Sequence, residues 1–305
     1  MFSRFQKNFY TASQLKITSN VCFSSLLAQH IDVLASYNQM HNEAMVICIL
    51  NVIAVMCENS SIYRANKFAL PMNFYNLVVA RSSYGKSPIL DLVRKAIDVV
   101  VQYRTSKFKS VSKDEQESDQ VVYFDENTPA GLLSSLRGCT RFLITDEADV
   151  VLKKMAYTLP PPGIRDWSVT NDCRSQLLTL FDRPNNFVRR LKHENVQGAV
   201  SGDLIISSLM RQASGSMADA LFERTVIWPL DGDVIPTASC ITSIDESKHM
   251  SFEQFAVVAS FISNIDIFFD EDANQRMILW CDDLKKKNRS ILTLITLSAF
   301  SLGFY

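Results

Sequence analysis

Glycine is scarce in this chain, with nine residues in 305, and no G-x-G-x-x-G string occurs. A dinucleotide-binding turn built on clustered glycines is therefore excluded. The seven cysteines (Cys22, Cys48, Cys57, Cys139, Cys173, Cys240, Cys281) are odd in number and form no C-x-x-C pair. That removes a zinc ribbon and a disulfide framework, and leaves them as small apolar residues of a reducing compartment. The four histidines (His30, His41, His193, His249) show no metal spacing, and neither H-E-x-x-H nor G-x-S-x-G is present. Charge of one sign is also missing: 31 basic and 32 acidic side chains leave a net charge of −1. A protein that coats nucleic acid without specificity normally carries a basic excess. Contact with nucleic acid would have to come from local patches. The candidates are Arg189, Arg190 and Lys192, and Lys285, Lys286, Lys287 with Arg289. A solvated face is the plainer reading of each.

Long apolar runs are absent too. Ala44 to Cys57 and Ile291 to Tyr305 are uncharged, but both fall short of the ~20 residues that a spanning helix needs. Each reads as a buried helix. There is no apolar signal core at the N-terminus, which excludes a secretory signal. No acid precedes Asp32, while Arg4, Lys7 and Lys16 alternate with Phe2, Phe5 and Phe9. This composition fits an organellar transit peptide or the solvated start of a domain. A cytoplasmic location is the expectation.

What is present is an ordinary globular composition, 47% hydrophobic and 21% charged, long enough to bury a full core. Ile31 to Cys57 has helical spacing with no Pro or Gly. Asn76 to Ala80 is a short apolar run ending in a polar turn, as a buried strand does. Pro88 to Val101 reads as a helix with Leu90, Val93, Ile97 and Val101 on one face. Tyr103 to Gln120 is a polar connection or frayed helical end. Val121 to Phe124 and Arg141 to Thr145 are further strands, with a short helix opened by Thr128-Pro129 between them. Pro160, Pro161, Pro162 and Gly163 mark a loop, followed by a helix through Leu177, Leu178 and Phe181. Phe187 to Leu191, Leu204 to Ser207 and Thr225 to Trp228 complete the strand candidates. Alternating strands and helices predict an α/β fold with a mainly parallel sheet. The expected organisation is a helical region over 1–70, a core over 71–235 and a second helical region over 236–305.

Ala80 to Ser87 reads A-R-S-S-Y-G-K-S between a predicted strand and a predicted helix. It matches G-x-x-x-x-G-K-[ST], the P-loop pattern, at three of four defined positions. Such a loop wraps backbone N–H groups around phosphate oxygens at a helix N-terminus. Ser82, Ser83, Tyr84, Gly85, Lys86 and Ser87 are the candidate ATP-binding residues. Lys86 would reach the outer phosphates, and the Ser87 hydroxyl would bind Mg2+. Ala80 departs from the first glycine, and its methyl group fits only at ordinary φ.

Arg141 to Asp149 reads R-F-L-I-T-D-E-A-D, an apolar strand ending in adjacent carboxylates. An ATPase needs one acid for the metal and a neighbour that activates water. Asp146 fits the metal role and Glu147 the base. The sixty residues from Lys86 to Asp146 suit adjacent strands of one sheet. Arg224, or less favourably Arg211, could supply a cation to the γ-phosphate, in the same chain or across a subunit interface. Ser208 is a candidate phosphate sensor.

The ordered strings from Asn73 to Ile97, Thr128 to Leu136 and Arg141 to Asp149 resemble domain-of-unknown-function family 3987. L-L-T-L-F-D-R, the Arg189-Arg190 region and A-L-F-E-R-T-V-I-W-P are similar to its downstream blocks, so the likeness spans about Asn73 to Leu230. The resemblance implies a P-loop NTPase of phages, plasmids and mobile elements, associated with primases and helicase-like in replication. It also implies further helices beyond Tyr305, so that the C-terminal helical region is truncated here.

The leading expectation is therefore a P-loop NTPase, RecA/AAA+-like, using ATP and Mg2+. Its partner would be nucleic acid, DNA ahead of RNA, and its assembly a homo-oligomeric ring. A degenerate, non-hydrolysing nucleotide-binding scaffold is the alternative, and a small-substrate kinase or transferase is a third reading.

Overall fold

The computed structural model describes residues 19–57, 60–63, 69–80, 85–107, 122–124, 141–154, 174–175, 177–178, 194–200, 221, 224–230, 235–236, 238, 240–262 and 265–287. Eight strands and seven helices are assigned along these. The strands are β1 (Ser61–Tyr63), β2 (Ala69–Pro71), β3 (Tyr75–Val79), β4 (Val122–Phe124), β5 (Arg141–Thr145), β6 (Glu194–Val200), β7 (Thr225–Pro229) and β8 (Asp266–Phe268). The helices are α1 (Ser19–Cys22), α2 (Ser25–Tyr37), α3 (Asn42–Met56), α4 (Lys86–Lys107), α5 (Ala148–Lys154), α6 (Phe252–Ser260) and α7 (Glu271–Lys287). The chain is thus α/β, as the alternating pattern predicts.

Five strands form one sheet in the order β4-β5-β6-β3-β7, and every neighbouring pair is parallel. Parallel strands need helices on both faces, so their sequences run apolar rather than alternating. In β3 all five residues, Y-N-L-V-V, are buried. Phe74, Val78 and Ala80 join the main hydrophobic cluster with residues of α2, α3, α4 and α6. Tyr75, Leu77 and Val79 are buried as well but lie outside that cluster. Side chains alternate across a strand, so the second face of β3 is covered too.

The cover on the first face comes from helices both before and after the sheet. Along α3, eleven residues are buried, including Met45, Val46, Ile47, Cys48 and Ile49, as its uncharged run predicts. Its one interior amide, Asn51, donates to the Ile47 carbonyl at 2.9 Å and accepts from Asn76 Nδ2 of β3 at 2.6 Å. A buried amide left without partners costs roughly 1–3 kcal/mol, so this contact joins helix to strand in a definite register. Cys48 and Cys57 are buried free thiols, and burial raises the pKa of both. They serve as small apolar residues.

α4 buries Ile89, Leu90, Leu92, Val93, Ala96, Ile97 and Val100 on one face, the face expected from spacing. α6 packs against α4 and begins with a capping box between Ser251 and Gln254. Lys95 Nζ pairs with Glu253 at 2.8 Å, and Arg104 donates to the Ser260 carbonyl at 3.1 Å. A separate three-stranded sheet, β2-β1-β8, joins a strand near residue 60 to one near 267. Tyr63 and Phe268 stack across it at 4.8 Å. β1 and β8 lie within regions 1–70 and 236–305, which are expected to be helical, and β2 straddles the border at residue 70. No single helix among the described residues is long and apolar enough to cross a membrane. The pair α2 and α3 passes by length and composition only together, and is bent by 110°.

His30 on α2 stacks on His249 with ring centroids 5.5 Å apart and ring nitrogens at 3.3 Å. Burial and the facing imidazole lower the His30 pKa from its ordinary 6.5. Below the unfolded-state value the unfolded chain therefore binds more protons, and stability is lost as pH falls through the lowered folded-state value. Urea unfolding should show stability declining as pH falls below about 6.5, a decline that His30→Gln flattens. An unchanged pH profile in that variant would assign the decline to other groups.

Candidate functional site

Both predicted motifs leave the sheet at the same edge. β3 and β5 are parallel to the shared neighbour β6: Val79 aligns with Val200, and Thr145 aligns with Gly198, which in turn aligns with Leu77. The end of β5 thus lies level with the last turn of β3, and the chain leaves both strands on one side. One expectation is corrected here. The loop strand and the acid strand are not adjacent, because β6 lies between them. The physical reason is that β6, E-N-V-Q-G-A-V, enters the sheet from far downstream. Two strand spacings separate β3 from β5, about 9.5 Å.

The loop begins at Ala80, which is 5% exposed and belongs to the main hydrophobic cluster. Its φ is not positive; among the described non-glycine residues only Gln39 has a positive φ. The methyl group that departs from the P-loop pattern is thus accommodated as core. Ser82, Ser83 and Tyr84 lie outside the described residues, so their predicted phosphate contacts have no geometry here. Gly85 takes φ +81, a conformation that costs an L side chain energy but glycine nothing comparable. Lys86 then opens α4, with Ser87 second and exposed. Pro88 follows within the first turn, where a missing N–H leaves no intrahelical bond unmade.

Lys86 Nζ donates to the Ala80 carbonyl at 2.7 Å. The ammonium therefore lies beside the residue that follows β3, at the N-terminal end of a helix of 22 residues. Such an end carries partial positive charge and unpaired N–H groups. An anion placed there would meet both, and could take over the lysine donor from Ala80.

Across the edge, Phe142, Leu143 and Ile144 are fully buried and Thr145 nearly so. Apolar burial stops abruptly at Asp146 and Glu147, both exposed. Asp146 Oδ2 lies 3.5 Å from Arg94 Nη1. Glu147 accepts backbone N–H bonds from Val150 and Val151 at its own carbonyl, which starts α5. Its side chain extends from a turn rather than a regular element. Among the described residues no group of three or more His, Cys, Asp or Glu could hold a metal ion.

Arg224 does not join this edge. It immediately precedes Thr225, which aligns with Tyr75 at the start of β3. The full five-residue strand separates it from the loop, roughly 16 Å at 3.3 Å per residue. The backbone of Arg224 thus lies at the end of the sheet where β3 and β7 enter, opposite the end where the loop leaves. Arg211, Ser208, Arg189, Arg190 and Arg289 lie outside the described residues, and the side chains of Lys285, Lys286 and Lys287 do as well. Arg94 is the residue that sequence reasoning passed over as one of the polar positions of α4. Its signal was a cation two helical turns beyond Lys86, on the helix that starts at the loop.

With this geometry in hand, comparison with protein-family models and with curated proteins returned no match.

The positive φ at Gly85 allows a direct check. No heavy atom lies within 4 Å of an added Cβ, so Gly85→Ala should cost only backbone strain, about 1 kcal/mol. Gly85→Asn should cost less, because Asn tolerates the left-handed region. Urea unfolding of the two variants measures both, and equal stability of Ala and Gly at this position would contradict the assigned φ.

Proposed function

We propose that this chain is a P-loop nucleotide-binding protein that hydrolyses ATP with Mg2+, of the RecA/AAA+-like class. The observation that carries the reading is the shared edge. A Gly-Lys-Ser helix start and an Asp-Glu pair leave one parallel sheet on the same side, one strand apart. The crevice beyond the carboxyl ends of parallel strands is where ligands bind in open α/β sheets.

The residues suit the roles chemically. Lys86 and the N–H groups at the start of α4 offer donors to phosphate oxygens. The Ser87 hydroxyl and the Asp146 carboxylate are hard oxygen donors, too few for an all-protein cage and suited to Mg2+ held jointly with phosphates. Mg2+ bound there would neutralise charge on the transferring phosphoryl group. Glu147, exposed and next to Asp146, would orient and deprotonate water. The strand between loop and acid leaves about 9.5 Å across the sheet, which is room for phosphate and water. Ala80 at ordinary φ removes one argument for a degenerate loop.

The family likeness extends the proposal. If the chain acts as members of domain-of-unknown-function family 3987 are expected to act, the work done is helicase-like, on DNA in preference to RNA. Arg224 at the far edge would then serve only a neighbouring copy's site, which favours a ring. A scaffold that binds nucleotide without turning it over is the competing reading.

Three proteins separate these readings: wild type, Lys86→Ala and Glu147→Gln, each with ATP, Mg2+ and single-stranded DNA. Lys86→Ala should weaken ATP binding by more than about tenfold, through loss of a charge-assisted contact. Glu147→Gln should retain binding and lose about a hundredfold or more in turnover. Binding without turnover in wild type would favour the scaffold, and no binding would end the nucleotide reading.

A further inference from the structure

Arg94 joins the loop helix to the acid-bearing strand. It lies on α4, eight residues after Lys86, with a side chain only 17% exposed. One nitrogen, Nη1, is shared between Asp91 at 3.0 Å and Asp146 at 3.5 Å. The other, Nη2, donates to the Ile144 carbonyl at 3.1 Å. The guanidinium thus grips the end of β5 by the Ile144 carbonyl and the Asp146 carboxylate that follows it, from a helix that buries seven residues in the core.

We propose that Arg94 is a positioning residue that holds Asp146 as an internal counter-cation and yields it to the incoming divalent metal. This rests on the nucleotide reading above. Two observations favour it over a purely structural tie. The Asp146 contact is the longest of the three, so the carboxylate can be released while Arg94 keeps Asp91 and Ile144. Asp146 is also 42% exposed at its side chain, open to an ion from solvent, whereas Arg94 is largely sheltered. A planar guanidinium makes such a divided grip, because its donors point in fixed and separate directions. The consequence is that metal entry exchanges one cation for another at Asp146. Arg94 thereby opposes metal binding in the absence of phosphate, and its fixed position on α4 registers the acid against the loop.

The test uses the full chain with ATP at constant concentration and Mg2+ varied, following nucleotide binding and turnover for wild type, Arg94→Gln and Arg94→Lys. Removing one unit charge beside a partly exposed metal site should lower the half-saturating Mg2+ concentration on the order of fivefold in Arg94→Gln. Arg94→Lys keeps the charge and should keep the half-saturating Mg2+ concentration of wild type, while losing the fork that positions Asp146 lowers its turnover. Both variants lose the forked geometry, so a defect of folding alone would appear in both and would move melting temperature together with binding. A Mg2+ profile that is unchanged or shifted to higher concentration in Arg94→Gln overturns the proposal. So does an equal shift in both variants. Failure of wild type to bind ATP at any Mg2+ concentration removes the nucleotide reading first and this proposal with it, an outcome distinct from an insensitive Arg94→Gln.

Discussion

The arrangement depends on burying β3 from both sides. Its five residues have no solvent-facing set, so the strand can exist only with helices on each face and paired strands at each edge. β6 and β7 supply the edges, both parallel to it. The Asn51–Asn76 contact supplies a polar constraint on an otherwise apolar face. Hydrophobic packing alone would tolerate small slips of α3 along the sheet. A buried amide pair does not, because a slip leaves donors and acceptors unmatched. Once β3 is fixed, the direction in which Ala80 leaves it is fixed also.

The same helix serves as core and as site. α4 begins at Lys86 and buries seven residues along one face, so its N-terminal end is mounted on a rigid body. α6 secures that body from the far side through Lys95–Glu253 and Arg104–Ser260. The acids across the edge rest on an equally buried strand. Chemistry placed on loops is made definite by the scaffold behind it, and here α4 and β5 behind the two motifs are among the most buried of the described residues.

Much of this was legible from residue pattern. Tyr75–Val79, Val122–Phe124, Arg141–Thr145 and Thr225–Pro229 lie within one or two residues of their expected strands, because buried parallel strands are short apolar runs between breakers. α3 and α4 were legible by spacing. β6 was not, since Glu194, Asn195 and Gln197 give it neither an apolar run nor alternation. The expected strands 187–191 and 204–207 lie outside the described residues. Missing β6 produced the error of treating loop strand and acid strand as neighbours. Arg224 misled for a different reason: a residue's place beside a strand says nothing about which end of the sheet that strand end occupies until its direction is known. Arg94 was hidden because tertiary contact, rather than helical position, defines what it does. β1, β2 and β8, three residues each, are too short to carry a period.

The order of strands has a consequence during synthesis. β3 is the first strand of the large sheet to be made, yet it ends between β6 and β7, the last two. About 150 residues separate Val79 from Pro229, which at 5–20 residues per second is on the order of ten to thirty seconds of translation. Until β6 has been made, about 120 residues after Val79, both hydrogen-bonding edges of β3 are unclaimed, and the edge that β7 takes stays so for the whole interval. α3 and α4 are complete well before its partners, and can shelter one face by local contacts that form early. The nascent chain therefore emerges with β3 backed by helices and open along its edges, which is the state in which chaperone binding would matter most.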